Sequence, residues 1–212
     1  MSNLEQEPPT AHRAFGDQLG LARQFAADLG QFGEQLGLIG PLELPRLWSR
    51  HLLNCAVVAP YLREGGRVAD VGSGAGLPGL VLAIARPDVR VTLIEPMERR
   101  TDWLLAETAR LGLGNVTVLR ARAEEAVDAG PFDQVTARAV SALAKLIPLV
   151  APLVRPGGEL VLMKGERVHE EIEKALKAMR SHRVSNVEVL EVGEGIAPEV
   201  TRLFRATVGG AS

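Results

Sequence analysis

The sequence has 212 residues, a formal net charge of −2 and 46% hydrophobic residues, which suits one α/β domain with a full core and a small extension. The charge balance excludes a uniformly basic nucleic-acid coat protein but leaves room for a local basic patch. No apolar run reaches the roughly 20 residues of a membrane span, and a single cysteine, Cys55, excludes an intrachain disulfide and argues against a cysteine-built metal site.

Met1 to Thr10 is polar and lacks the basic end and apolar centre of a signal peptide; a cytoplasmic monomer without a membrane partner is expected. Phe15, Leu19, Ala22, Ala26, Leu29, Phe32 and Leu36 then recur at helical intervals, predicting an amphipathic segment over 11–40 that Gly37 and Gly40-Pro41 stop. A second helix is expected from Pro45 to Ala59, with Arg46, Arg50 and His51 on its polar side. That side reads either as a solvated basic face or as an RNA contact. Residues 60–66 form the linker, so the expected organisation is an N-terminal helical extension, 1–66, packed on a core domain, 67–212.

From Arg67 onward strand and helix patterns alternate, which implies a parallel sheet covered on both faces. Strands are expected at 68–71, 89–95, 116–120, 132–137 and 159–164. Helices are expected at 78–85, at 98–111 with Leu104, Leu105, Thr108 and Leu111 facing the core, near 141–154 with interruption or shortening by Pro148 and Pro152, and at 168–179. Two strand-like runs, Val184 to Val192 and Thr201 to Val208, follow with only turn residues between them and predict an antiparallel closing pair. That ending suits a Rossmann-like, S-adenosylmethionine-dependent methyltransferase fold with a mostly parallel seven-stranded sheet.

The stretch Val68 to Gly79 reads strand, glycine loop, helix, and two frames compete within it. Gly74, Gly76 and Gly79 fit a dinucleotide pattern, but Asp70 would then lie beside a pyrophosphate. Gly72, Gly74 and Gly76 with Asp70 two residues earlier instead suit a ligand with a cationic end, such as S-adenosylmethionine. In an open parallel sheet, ligands bind beyond the carboxyl ends of the strands. Those ends carry Asp70, Glu95 for a ribose, Arg122-Ala123-Glu124 for an adenine, and Arg138 pointing into the cleft, with Asp70 in solvent.

No Asn- or Asp-Pro-Pro-aromatic loop follows the fourth strand, Cys55 lies in an apolar run, and the four histidines show no triad spacing or metal pairing. No general base is apparent. An acceptor such as guanine N7 needs none, because it bears a lone pair and no proton.

Several pieces together resemble one family: Arg50-His51-Leu52-Leu53-Asn54, Asp70 through Gly79, Glu95-Pro96 with Arg99-Arg100, Arg122-Ala123-Glu124, Thr136-Ala137-Arg138-Ala139 and Lys164-Gly165. The family is the bacterial small-subunit rRNA guanine-N7 methyltransferases, also called glucose-inhibited division protein B. The resemblance implies S-adenosylmethionine as cofactor, small-subunit rRNA or a ribosomal particle as partner, and cofactor contacts at Gly72, Leu77, Ala123, Glu124 and Arg138. Asn54, where an Asp is frequent, and Glu95, the less common acid at its position, depart modestly from the family pattern. The full expected site is Asp70, Gly72, Gly74, Gly76, Leu77, Glu95, Ala123, Glu124 and Arg138 for the cofactor, with Arg138 also positioning the reacting base. Arg46, Arg50, Arg99, Arg100 and Lys164 are expected to meet RNA, and no metal is expected. A nucleotide-dependent oxidoreductase and a non-catalytic RNA-binding assembly factor are the competing readings.

Overall fold

The computed structural model describes residues 4–209; the outermost parts of both expected segments lie outside them. Seven strands form one sheet: β1 (Arg67–Val71), β2 (Arg90–Ile94), β3 (Val116–Leu119), β4 (Phe132–Arg138), β5 (Val154–Lys164), β6 (Val184–Val192) and β7 (Thr201–Val208). Their spatial order is β3-β2-β1-β4-β5-β7-β6. The first five run parallel, and β7 enters antiparallel between β5 and β6. The chain direction of winding therefore reverses between β1 and β4, which opens a crevice beyond their carboxyl ends.

Helices cover both faces: α1 (Ala11–Phe15), α2 (Leu19–Phe32), α3 (Asn54–Ala56), α4 (Gly79–Ala85), α5 (Glu98–Arg110), α6 (Leu143–Val150) and α7 (Val168–Ser181). The expected N-terminal periodicity holds through Leu29, but Gly16 at φ 49° breaks the first segment into α1, a 3-10 turn and α2. On one face, Phe15, Phe25 and Leu29 share a continuous core with Leu47, Leu52, Leu80 and Leu104. On the other, α6 and α7 pack Leu146, Ile147, Val150, Ala175 and Met179 against β4, β5 and β7. Among the described residues no helix is long and apolar enough to cross a membrane.

Two local expectations change. The segment expected as a helix from Pro45 is a 3-10 turn, Pro41–Arg46, followed by a π-helix, Leu47–Leu53. Leu47, Trp48, His51, Leu52, Leu53, Cys55 and Ala56 are all buried, at spacings close to four residues, which the wider π turn accommodates. His51 thus leaves the basic face that carries Arg46 and Arg50. On α5, Leu105 is exposed while Thr101, Trp103, Leu104 and Glu107 turn inward. Glu107 is tolerated inside because Arg110 pairs with it at 3.0 Å and also with Asp28 of α2. The shortening expected at the prolines is found in α6, which continues through Pro148 and ends at Val150, beside Pro152.

Candidate active site

Beyond β1 the chain turns through Gly72, Gly74 and Gly76, whose φ values of 73°, 54° and 96° lie in the left-handed region open to glycine. Gly72 N–H donates to the Ile94 carbonyl at 2.9 Å, and Trp103 Nε1 donates to the Ala75 carbonyl at 3.1 Å. The loop is thereby fastened to β2 and α5. At Gly79 space rather than φ requires glycine, since a Cβ there would overlap Leu93 and stand 2.6 Å from Asp70 Oδ2.

Asp70 is fully buried, not in a solvated cleft as the sequence suggested. Its Oδ2 accepts the Gly79 N–H at 3.0 Å, and its Oδ1 has no protein partner. Burial pushes this carboxyl up to about 7, although the Gly79 N–H and the Arg138 charge favour ionisation. The folded value then exceeds the ordinary 3.8, so the stabilisation it carries is complete below that value and is lost as pH rises through about 7. Burial also pushes Glu107 up to about 7 despite Arg110 nearby, and it adds a slope of the same sign. The cofactor-free protein should therefore melt at a lower temperature at pH 8 than at pH 6, by a margin that shrinks in Asp70→Asn. Equal pH slopes in wild type and Asp70→Asn would assign the dependence elsewhere.

Glu95 follows β2 and is 2% exposed. Its Oε2 accepts the Gly74 N–H at 2.9 Å and its Oε1 the Met97 N–H at 3.0 Å. Arg100, expected on an RNA surface, is half-buried with Nη1 3.9 Å from Glu95 Oε2. Leu77 is buried in the glycine loop, and Ala123 is buried at the start of the 3-10 turn Ala123–Glu125, where Glu124 is exposed. These groups fit a nucleoside bearing a cationic end: a buried acid with one uncommitted oxygen, a glycine cradle, and an acid at the end of β2.

A cleft of about 980 Å³ adjoins this cradle over β4 and β5, lined in part by Glu43, Arg50, His51, Arg138, Val140 and Glu199. Of the expected cofactor residues only Arg138 lines it. Ala139, at φ 55°, carries the chain out of β4 in a left-handed conformation, and Val140 comes so close to the glycine loop that a Cβ at Gly72 would meet its Cγ2 at 2.9 Å. The cleft cations are mostly neutralised. Arg50 lies 3.4 Å from Glu43 and 3.7 Å from Glu199, Lys164 2.7 Å from Glu171, and Arg202 3.0 Å from Glu191. Lys164 is nearly buried and also donates to the Ser141 carbonyl at 3.0 Å, so it anchors the loop after β4. Among the described residues, Arg138 is the lining cation with no carboxylate partner; its Nη2 meets His51 Nδ1 at 2.8 Å. Burial holds the Cys55 thiol up at about 11, so it stays protonated and unreactive. No cluster of three or more metal-ligating side chains occurs among the described residues.

Residues 18–200 match the GidB family, described as rRNA small subunit methyltransferase G. The chain belongs to the GidB family. It is 62% identical over 205 residues to Ribosomal RNA small subunit methyltransferase G of Clavibacter michiganensis subsp. michiganensis, covering 97% of each chain. The protein of the same name from Leifsonia xyli subsp. xyli is also 62% identical, over 97% of this chain and 98% of the relative. Among solved structures, a SAM dependent methyltransferase from Aquifex aeolicus shares the fold at a TM-score of 0.57 and 20% identity, covering 82% of this chain and 98% of that one. A SAM-dependent O-methyltransferase from Thermotoga maritima does so at 0.55 and 21%, covering 73% and 64%.

Within this GidB-family fold, Asp70, Gly72, Gly74, Gly76, Leu77, Glu95, Ala123 and Glu124 lie in the segments at and beyond the carboxyl ends of β1, β2 and β3, with Arg138 ending β4. Arg46 is exposed, 3.2 Å from Glu43, and Arg99 is exposed at the start of α5. Sequence reasoning missed Glu43 and the buried role of His51. The motif Arg50-His51-Leu52-Leu53-Asn54 contained the second signal, whereas nothing in the spacing links Glu43 to a residue eight positions away across a change of helix type.

Proposed function

We propose that this protein transfers a methyl group from S-adenosylmethionine to N7 of a guanine in small-subunit rRNA. The carrying observation is Arg138, a cleft cation without a carboxylate partner, standing where the glycine cradle meets the open cleft. When bound, S-adenosylmethionine supplies an electrophilic methyl that guanine N7 can take without a general base, since N7 has a lone pair and no proton. Asp70 and Glu95 furnish acids for the ammonium and ribose ends, and Leu77, Ala123 and Glu124 line the approach to the adenine. Arg138 donates to the base carbonyl or an adjoining phosphate, orienting N7 while leaving its lone pair free. The GidB-family match disfavours the oxidoreductase reading. Calorimetry separates the two: S-adenosylmethionine and S-adenosylhomocysteine should compete for one site with NADH inert, and micromolar NADH binding that S-adenosylhomocysteine leaves untouched would contradict the cofactor assignment.

RNA approach falls to Arg46 and Arg99, the expected cations that are exposed, and to Arg50, half-buried at the cleft rim. An unpaired or looped strand suits them, because N7 lies in the deep, narrow groove of an RNA helix. Arg99→Ala should reduce the slope of log affinity against log salt by roughly 0.7 if it meets one phosphate. Lys164→Ala should lower thermal stability and leave that slope alone. Binding isotherms at several salt concentrations read both, and an undiminished slope in Arg99→Ala removes it from the interface.

A further inference from the structure

His51 is 8% exposed and lies between two charged groups. Its Nε2 is 2.7 Å from Glu43 Oε2, and its Nδ1 is 2.8 Å from Arg138 Nη2. Arginine has only donors and a carboxylate only acceptors, so both contacts are satisfied by one form of the ring: neutral, with the proton on Nε2. Glu43 is itself fixed by Arg46 at 3.2 Å and Arg50 at 3.4 Å.

We propose that His51 is a positioning residue for methyl transfer: it donates from Nε2 to Glu43, accepts from Arg138 at Nδ1, and thereby holds the unpaired guanidinium aimed into the cleft. The proposal rests on the reading that Arg138 orients the acceptor base. Protonation of Nδ1 would set an N–H and a positive charge against Arg138, so the imidazolium cannot hold it. The other groups around the ring agree with the neutral form. Burial leads in lowering the His51 value below its ordinary 6.5, and the charges of Arg138 and Arg50 act in the same direction, against the upward pull of Glu43. Cys55, one helical turn on, stays a neutral thiol, and Glu199 faces Arg50 from across the cleft.

Two substitutions dissect the ring. The Asn amide oxygen reaches the place of Nδ1 and preserves an acceptor for Arg138; the Gln amide reaches the place of Nε2 and preserves only the contact to Glu43. In single-turnover transfer to unmodified small-subunit rRNA, saturated with cofactor, His51→Gln should lose on the order of 30-fold, and His51→Asn only a few-fold, because a misplacement of about 1 Å already costs up to about 100-fold. The wild-type rate should also fall on acidification, with a midpoint below the ordinary imidazole value of 6.5, a limb absent from His51→Asn. Limbs arising from Asp70 or Glu107 would persist in that variant. Equal losses in the two variants, with Arg138→Ala impaired, or an acid limb retained by His51→Asn, would overturn the proposal. Wild-type transfer by Arg138→Ala would instead overturn the underlying reading of the cleft. If either variant fails to fold, the ring 15N shifts of the wild-type protein decide the matter: the proposal requires a bare Nδ1 and a protonated Nε2 at pH 7.5, and the opposite tautomer refutes it.

Discussion

Arg138→Ala should lower single-turnover methyl transfer by roughly 100- to 1000-fold with cofactor and RNA both saturating, the range seen when one preorganised donor is removed from a reacting centre. The loss should fall on the chemical step. Arg138 is half-buried at the end of β4, makes no ion pair among the described residues, and is held by one contact, to His51. Its removal breaks no ion pair, and buried Asp70, which loses a nearby positive charge, can take up a proton, so the fold should survive. Arg50→Ala offers the contrast. Arg50 is surrounded by Glu43 and Glu199 at the cleft rim, so its loss should weaken RNA binding and be largely overcome at saturation. A chemical rate unchanged in Arg138→Ala would return that residue to a structural role.

Gly79→Val should destabilise the protein by about 3 kcal/mol or more, from overpacking and from disturbance of a buried acid; for a chain of this size that is roughly 6–12 °C in melting temperature. The new side chain would enter space held by Leu93 on β2 and by Asp70 Oδ2, neither of which lies at a yielding surface. It would also displace the Gly79 N–H that Asp70 accepts. Gly74→Ala tests the other half of the loop. A Cβ at Gly74 finds only the Gly72 carbonyl oxygen, at 3.8 Å, so the cost there is confined to the left-handed φ of 54°, about 1–2 kcal/mol. Its methyl would project at the loop that cradles the ligand, and cofactor affinity should fall more than stability does. Melting curves with and without S-adenosylhomocysteine distinguish the two variants, and a Gly79→Val protein as stable as wild type would contradict the packing described.

The sequence revealed the loop and the sheet for a common reason. Gly72, Gly74 and Gly76 sit at positive φ, where other residues are strained, and β6 and β7 alternate with only turn residues between them, so local chemistry alone specifies both. The packing of α5 was less legible. Its spacing placed Leu105 inward, whereas Trp103 is buried instead and donates its indole N–H to Ala75, 28 residues away in sequence.

Asp70 illustrates a different limit. Its position in the motif predicted a carboxylate by the cradle, but its depth is set by Gly79 and Leu93 closing over it. Lys164 and Arg100 read as surface cations because their partners, Glu171 on α7 and the carboxylate of Glu95, meet them only through tertiary packing. The same holds for His51, whose π-helical turn carries it inward toward Glu43 and Arg138. Residue type and spacing were sufficient for the strands and their ends, whereas the helix type at Leu47–Leu53 and the pairing of charges required the fold.

The most direct test of the proposed reaction uses small subunits and naked small-subunit rRNA from a strain lacking this protein, incubated with the purified enzyme and methyl-labelled S-adenosylmethionine. Nuclease digestion and mass spectrometry of the nucleosides should place the label in 7-methylguanosine, with Arg138→Ala giving little in the same time. Label in any other nucleoside, or none in either substrate under conditions where S-adenosylmethionine binds, would contradict guanine N7 as the acceptor.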